Sequence, residues 1–315
     1  MNEYPKIKVD PYILKQENNV IKSGSFTFAS KLRDYMLLVK FSLSFMVVFS
    51  AVISYLLAPN IVELNVKMIL LLFTGGLLVT GSANAINQVT EKDTDAMMKR
   101  TAKRPIASGR MSVEEGWAFA AITGVLGILI LWYFFNGFAA ALAAFSLFLY
   151  AFVYTPLKKV NSISVLVGAL PGALPCLIGW AAAYDGLTAG AWVLFAIQFF
   201  WQFPHFWAIA WIAHKDYTNA GFKLLPSVQG PTKYSAIQSI IYSLFLLPIG
   251  VLPYIFGMSE FPTVWILLGA NLFMVYQCIR LYREMEVKAA RRVMFSSYFY
   301  LPLVLLALLA FKVHN

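Results

Sequence analysis

Residues 68–110 read MILLLFTGGLLVTGSANAINQVTEKDTDAMMKRTAKRPIASGR. The stretch opens on an apolar run, 68–88, long enough to cross the ~30 Å hydrocarbon core of a bilayer as one helix, and then turns abruptly polar. Asn87, Glu91 and Asp95 stand at i, i+4 and i+8, so a helix that continues out of the run stacks all three on one face. A carboxylate at the centre of a membrane helix costs roughly 2.5–3.5 kcal/mol, and such residues mark function. Asp93 lies about 200° round the same helix from Glu91.

Outward from this stretch the chain repeats the apolar theme. Of 315 residues, 60% are apolar and 13% charged, against about 25% charged in a soluble domain, which places the chain among integral membrane proteins. Further apolar stretches fall near 41–58, 113–134, 138–154, 162–182, 190–212, 234–256, 263–281 and 294–312. With 68–88 they predict an all-α, polytopic membrane bundle of about nine transmembrane helices. Pro171, Pro175 and Pro204 fall inside spans, where they kink helices or free carbonyls. No fixed repeat and no low-complexity linker divides the chain. It reads as a cytoplasmic N-terminal segment, 1–40, followed by a single transmembrane domain, 41–315.

Basic residues set the orientation. With the N-terminus cytoplasmic, the connections after spans 2, 4, 6 and 8 carry Lys92–Arg110, Lys158 with Lys159, Lys215–Lys233 and Arg280–Arg292. Of the 25 Lys and Arg, only Lys67 and Lys312 then lie outside, so the positive-inside rule predicts N-in and C-out. The net charge of +10 is largely spent on topology and does not indicate nucleic-acid binding, which needs a solvated basic surface; it draws the cytoplasmic face toward anionic lipids and substrates. Glu3, Asp10, Glu17 and Asp34 argue against an acid-poor organellar presequence, and no short apolar core with a cleavage site marks a removable signal peptide. The bacterial inner membrane, with the polar cluster on its cytoplasmic side, is the expected location. Cys176 and Cys278 are isolated within spans, which leaves no disulfide framework, CxxC metal site or covalent haem site.

The chemistry of the cluster follows from its residue types. Mg²⁺ keeps several waters and is held by one or two carboxylates together with substrate phosphates. Glu91 and Asp95 are the candidate ligands, Asn87 adds an amide oxygen without a buried charge, and Asp93 joins only if the helix frays or it binds a second ion or a base. Lys99, Arg100, Lys103 and Arg104 follow at once and can neutralise a departing diphosphate. A solvated loop obeying the positive-inside rule explains the bases but not the acids at helical spacing. An EF-hand fails, since its sixth position is Met98 rather than Gly.

The run N-x-x-x-E-x-D-x-D-x-x-M-x-R-T-x-x-R-P-x-x-x-G-R from Asn87 to Arg110 resembles the first acidic motif of the UbiA superfamily of intramembrane prenyltransferases. VYTPLKKVNSISVLVGALPGALPCLIGW, from Val153 to Trp180, and WQFPHFWAIAWIAHKDYTNAGFKLLP, from Trp201 to Pro226, are similar to the haem-modifying branch of that superfamily. Two departures stand out: Glu91 occupies a position where Asp is common, and Ala220, four residues after Asp216, cannot complete a second acidic motif. The resemblance implies transfer of a farnesyl group from farnesyl diphosphate to a vinyl carbon of protohaem IX, with Mg²⁺ as cofactor. It assigns Tyr154 and Lys158, one helical turn apart, to diphosphate; without it they read as an interfacial aromatic and a topology signal.

His205 stands inside span 6 beside Pro204, at a depth where an ionisable group needs a partner. It is a candidate haem contact, or a neutral histidine bonded to a carbonyl freed at the proline. His214, Lys215 and Asp216 at the end of that span are candidates for the haem propionates or the diphosphate. Prenyl transfer to an aromatic quinone precursor shares the acidic mouth but not the Trp201–Trp207 stretch. A transporter calls for polar groups along a crossing path, whereas here they gather at one face. Two polar connections there, 90–100 and 214–223, are placed to close over one pocket.

Overall fold

Asn, Ser and Thr at the starts of the apolar runs turn them into capped helices. The side chains of Asn65, Ser112, Asn136 and Thr232 accept from the backbone N–H groups of Met68, Glu115, Ala139 and Ser235 at 3.2, 3.0, 2.8 and 3.4 Å. The computed structural model describes residues 28–313. Residues 1–27 of the expected N-terminal segment, with Glu3, Asp10 and Glu17, and the last two residues of the chain lie outside them. The described residues contain no strand, only an isolated bridge between Ser259 and Lys312.

The helices are α1 Phe28–Leu38, α2 Phe41–Leu57, α3 Val66–Thr90, α4 Lys92–Ala96, α5 Val113–Phe134, α6 Gly137–Leu157, α7 Ser164–Tyr184, α8 Ala189–Ile212, α9 His214–Asn219, α10 Lys233–Ile255, α11 Pro262–Glu284 and α12 Val287–Ala310. Eight are long and apolar enough to cross a membrane singly, and α1 with α2, bent by 53°, make a ninth. The chain is thus an all-helical integral membrane protein with the expected number of spans. The first begins earlier than the boundary at residue 40 anticipates. Lys31 and Asp34 hide α1 from a hydropathy reading, yet both are paired, Lys31 with Glu115 at 2.7 Å and Asp34 with Arg110 at 2.9 Å.

The bend itself has a visible cause. Lys40 adopts a left-handed conformation, φ 48°, and the break frees the carbonyls just before it. Amides on α3 take them up: Gln88 Nε2 donates to Leu37 O and Leu38 O at 3.0 and 2.9 Å, and Asn84 Nδ2 to Val39 O at 3.1 Å. In hydrocarbon such groups need an internal partner. The prolines of α7 are served the same way. Pro175 lacks the N–H that would bond Pro171 O, and Ser146 Oγ donates there instead at 3.3 Å; Gln198 Nε2 donates to Gly172 O at 2.7 Å. The helix stays continuous through both prolines.

Small residues let the helices approach, the usual device where lipid supplies no hydrophobic drive between them. Gly127 of α5 lies against the backbone of Gly75 and Val79 on α3, and Gly179 of α7 against the carbonyl of Ala51 on α2. At the bundle end away from the polar connections, Lys312 Nζ donates to Leu56 O, Ala58 O and Ile61 O at 2.8, 2.9 and 2.7 Å, closing the C-terminus of α2.

Candidate active site

The apolar run of α3 carries its helical geometry past Thr90. Glu91 N–H donates to Asn87 O at 3.0 Å and Asp95 N–H to Glu91 O at 2.6 Å, so α4 continues the same face after a slight break at Glu91. Glu91 and Asp95 are 4% and 0% exposed. Buried carboxylates need partners, and the chain returns cations to both. The segment after α4 folds back, with Thr101 Oγ1 donating to Asp95 O at 2.8 Å, and brings Arg104 Nη1 to both Asp95 oxygens at 2.8 and 2.6 Å. Lys158, just beyond α6, meets Glu91 Oε1 at 2.5 Å. Asn87 bridges two further elements: its Oδ1 accepts from Lys40 Nζ at 3.1 Å and its Nδ2 donates to Thr155 Oγ1 at 3.4 Å. Three oxygen-bearing side chains from one helix face therefore meet three cations from three other places in the chain.

The connection after α8 closes over this cluster, as the paired polar connections anticipate. Arg100 Nη2 donates to Tyr217 OH at 2.8 Å, and Met98 packs with Ala220 and Phe222. Lys158 Nζ lies 5.0 Å from the ring centre of Tyr154 and 5.3 Å from that of Phe222, within cation–π range. Burial pushes the Lys158 ammonium down from its usual range while Glu91 opposes the shift. Burial likewise raises the Tyr217 hydroxyl, with Arg100 opposing, which keeps it a neutral hydrogen-bonding group. Before Lys158 the helix widens into a π-turn, Leu149–Tyr154, a feature frequent at functional sites. It sets Tyr150 and Tyr154 5.3 Å apart, with the Tyr154 ring against Gly168.

Several residues singled out from sequence lie elsewhere. Asp93, Lys99 and Lys103 are exposed and make no ion pair among the described residues; Asp93 thus sits off the acidic face, where its helical angle puts it. Lys215 is exposed and Asp216 half-buried, without an ion pair to the cluster. The His214 ring lies against Gly230. His205 faces the last helix instead: Nδ1 is 2.7 Å from Ser297 Oγ, and its ring stacks on Trp201 at 5.0 Å. Its partner is a hydroxyl rather than a carbonyl freed by Pro204. Sequence reading missed Lys40, Thr155 and Tyr217. The first was absorbed by the positive-inside rule as the last base before an apolar run, and the other two carry no charge to draw attention.

A packing role for His205 predicts a specific result. His205→Ala and Ser297→Ala should each cost about 1–3 kcal/mol in detergent unfolding, the range for a buried polar group losing its partner, and the double variant should cost less than the two together. Additive costs, with weakened haem binding in His205→Ala alone, would instead favour the haem contact expected from sequence.

Fold and cluster together define an integral membrane protein with one polar, charge-rich site at an end of its helical bundle. The family model described as the UbiA prenyltransferase family matches residues 47–308, and the chain belongs to that family. It is 42% identical over 286 residues to protohaem IX farnesyltransferase of Cytophaga hutchinsonii, covering 91% of this chain and 100% of that one. A digeranylgeranylglyceryl phosphate synthase structure superposes with a TM-score of 0.74 at 20% identity, over 89% of this chain and 98% of the other. A UbiA homologue from Archaeoglobus fulgidus, bound to GPP and Mg²⁺, gives 0.66 at 14% identity, over 87% and 99%.

Proposed function

We propose that this protein transfers the farnesyl group of farnesyl diphosphate to a vinyl carbon of protohaem IX. The observation that carries the reading is the full-length similarity to protohaem IX farnesyltransferases, joined to a site with the charges such a transfer needs. In the reaction the allylic C–O bond breaks and its electron pair leaves with diphosphate. The vinyl π-electrons form the new C–C bond, and water adds to the cation left beside the porphyrin and gives up a proton. Ionisation is the step that calls for preorganised charge.

Two buried carboxylates and an amide oxygen on one face, each in contact with a cation of the chain, suit a Mg²⁺–diphosphate pair. Asp95, Glu91 and Asn87 are hard oxygen donors of the kind Mg²⁺ accepts beside phosphate oxygens. When bound, the ion would stabilise charge on the leaving diphosphate. Arg104 and Lys158 already lie against the carboxylates and need only turn to the phosphate oxygens. Arg100, with Tyr154 and Tyr217, closes the rim, and Lys99 and Lys103 stand further out as steering charges. The apolar bundle below holds the farnesyl chain away from water. We assign His214, Lys215 and Asp216 to the propionate side of protohaem because they belong to the connection that closes the same mouth. The distribution of bases supports an N-in, C-out arrangement in the bacterial inner membrane with residues 1–40 and the site on the cytoplasmic side.

Expression in cells that lack haem farnesylation, followed by chromatography of extracted haems, tests the reading. Haem carrying a hydroxyethylfarnesyl group is expected; unmodified protohaem alone, with the protein present in the membrane, refutes it.

A further inference from the structure

Of the three cations that touch Asn87, Glu91 and Asp95, Lys40 alone makes no direct ion pair with a carboxylate among the described residues. Arg104 pairs with Asp95 and Lys158 with Glu91. The Lys40 ammonium instead donates to the neutral Asn87 Oδ1 at 3.1 Å, a single bond where an ammonium offers three. Its position is built rather than incidental. Lys40 stands at the 53° break of the first span, in a left-handed conformation with φ 48°, a strained geometry for a residue with a side chain. Asn84 and Gln88 hold the three preceding carbonyls, and this clamp aims the side chain at the cluster.

The charges at the site balance only with Lys40 among them. The two carboxylates and three cations leave one net positive charge, and a single Mg²⁺ with a trianionic diphosphate ester brings the set to neutrality. The connection after α8 offers a single carboxylate, Asp216, and no second to complete a pair for another ion, since Ala220 is buried against Met98 and Phe222. We propose that Lys40 is a diphosphate-binding residue, which leaves Asn87 for the phosphate oxygens when substrate enters and supplies the charge that a single metal ion leaves wanting. This rests on the prenyl-diphosphate reading above.

Binding to the full-length protein in lipid nanodiscs, measured by calorimetry with Mg²⁺, separates the possibilities. Lys40→Gln is expected to weaken farnesyl diphosphate binding about 10- to 100-fold, the scale of a charge-assisted hydrogen bond. Binding of farnesol, which lacks the diphosphate, and the unfolding temperature are expected to stay as in the unsubstituted protein, and Lys40→Arg to recover most of the affinity. In the unsubstituted protein, farnesyl diphosphate but not farnesol should shield Lys40 from an amine-acylating reagent, a measurement that needs no variant to fold. Unchanged farnesyl diphosphate affinity in Lys40→Gln, equal loss of both ligands, or equal acylation with and without farnesyl diphosphate overturns the assignment. Failure of the unsubstituted protein to bind farnesyl diphosphate refutes the reading of function itself and takes this inference with it.

Discussion

Asp95→Asn should lower farnesyl transfer about a hundredfold or more and also leave a less stable protein. Asp95 is fully buried and takes both of its hydrogen bonds from Arg104 at 2.8 and 2.6 Å. Removing its charge strands the guanidinium beside a neutral amide, and breaking a buried pair from one side costs about 3–5 kcal/mol. Arg104 keeps some access to water, which puts the expectation at the lower end. The loss of rate has a separate origin, since the same carboxylate is our candidate Mg²⁺ ligand, and removal of one preorganised charge contact costs about 10²–10³ in rate. Asp95→Asn with Arg104→Gln separates the two: stability should recover while transfer stays low. Asp93→Asn, at an exposed position, serves as the control and should stay within about twofold. Turnover in reconstituted membranes and unfolding in detergent read the two effects independently.

Gly179→Ala should damage the fold more than any single change at the surface. An added methyl would overlap the carbonyl of Ala51 on the neighbouring span, and backbone, unlike the tip of a flexible side chain, gives way only if α2 and α7 move apart. Overpacking typically costs about 1–3 kcal/mol; here the obstacle is backbone, so about 3 kcal/mol is expected, seen as a lower unfolding temperature or as poor recovery of folded protein. Gly269→Ala in α11 meets open space and should be neutral or stabilising by up to about 1 kcal/mol through helix propensity.

The two predictions draw on parts of the molecule that were unequally legible in sequence. Spans follow from hydropathy because a bilayer forces long, uniform apolar helices, and α5 runs from Val113 to Phe134, as read. Legibility failed where charge interrupts a helix but is paired in three dimensions. The last helix begins at Val287, earlier than its apolar stretch, because Arg292 within it bonds Glu284 at 2.7 Å. Helix α1 was hidden for the same reason by Lys31 and Asp34. The acidic face of Asn87, Glu91 and Asp95 was legible because helical spacing is local. The pairing of these groups with Lys40 and Lys158 was not, since both lysines are far away in the chain and only tertiary packing joins them to the acidic face. Asp216 and Ala220 are a second case of local legibility, since the missing second acid is read directly from their spacing.

Three identities define the reaction: the donor, the acceptor and the bond formed between them. Purified protein in nanodiscs, incubated with protohaem IX, farnesyl diphosphate labelled at C1 and Mg²⁺, tests all three when the haem fraction is separated and its mass determined. The label is expected in a haem heavier than protohaem by one farnesyl group and one hydroxyl, and to vanish when the metal is chelated. Label that remains in farnesyl diphosphate or farnesol, or that enters an added aromatic quinone precursor while protohaem is unchanged, would rule out farnesyl transfer to protohaem IX.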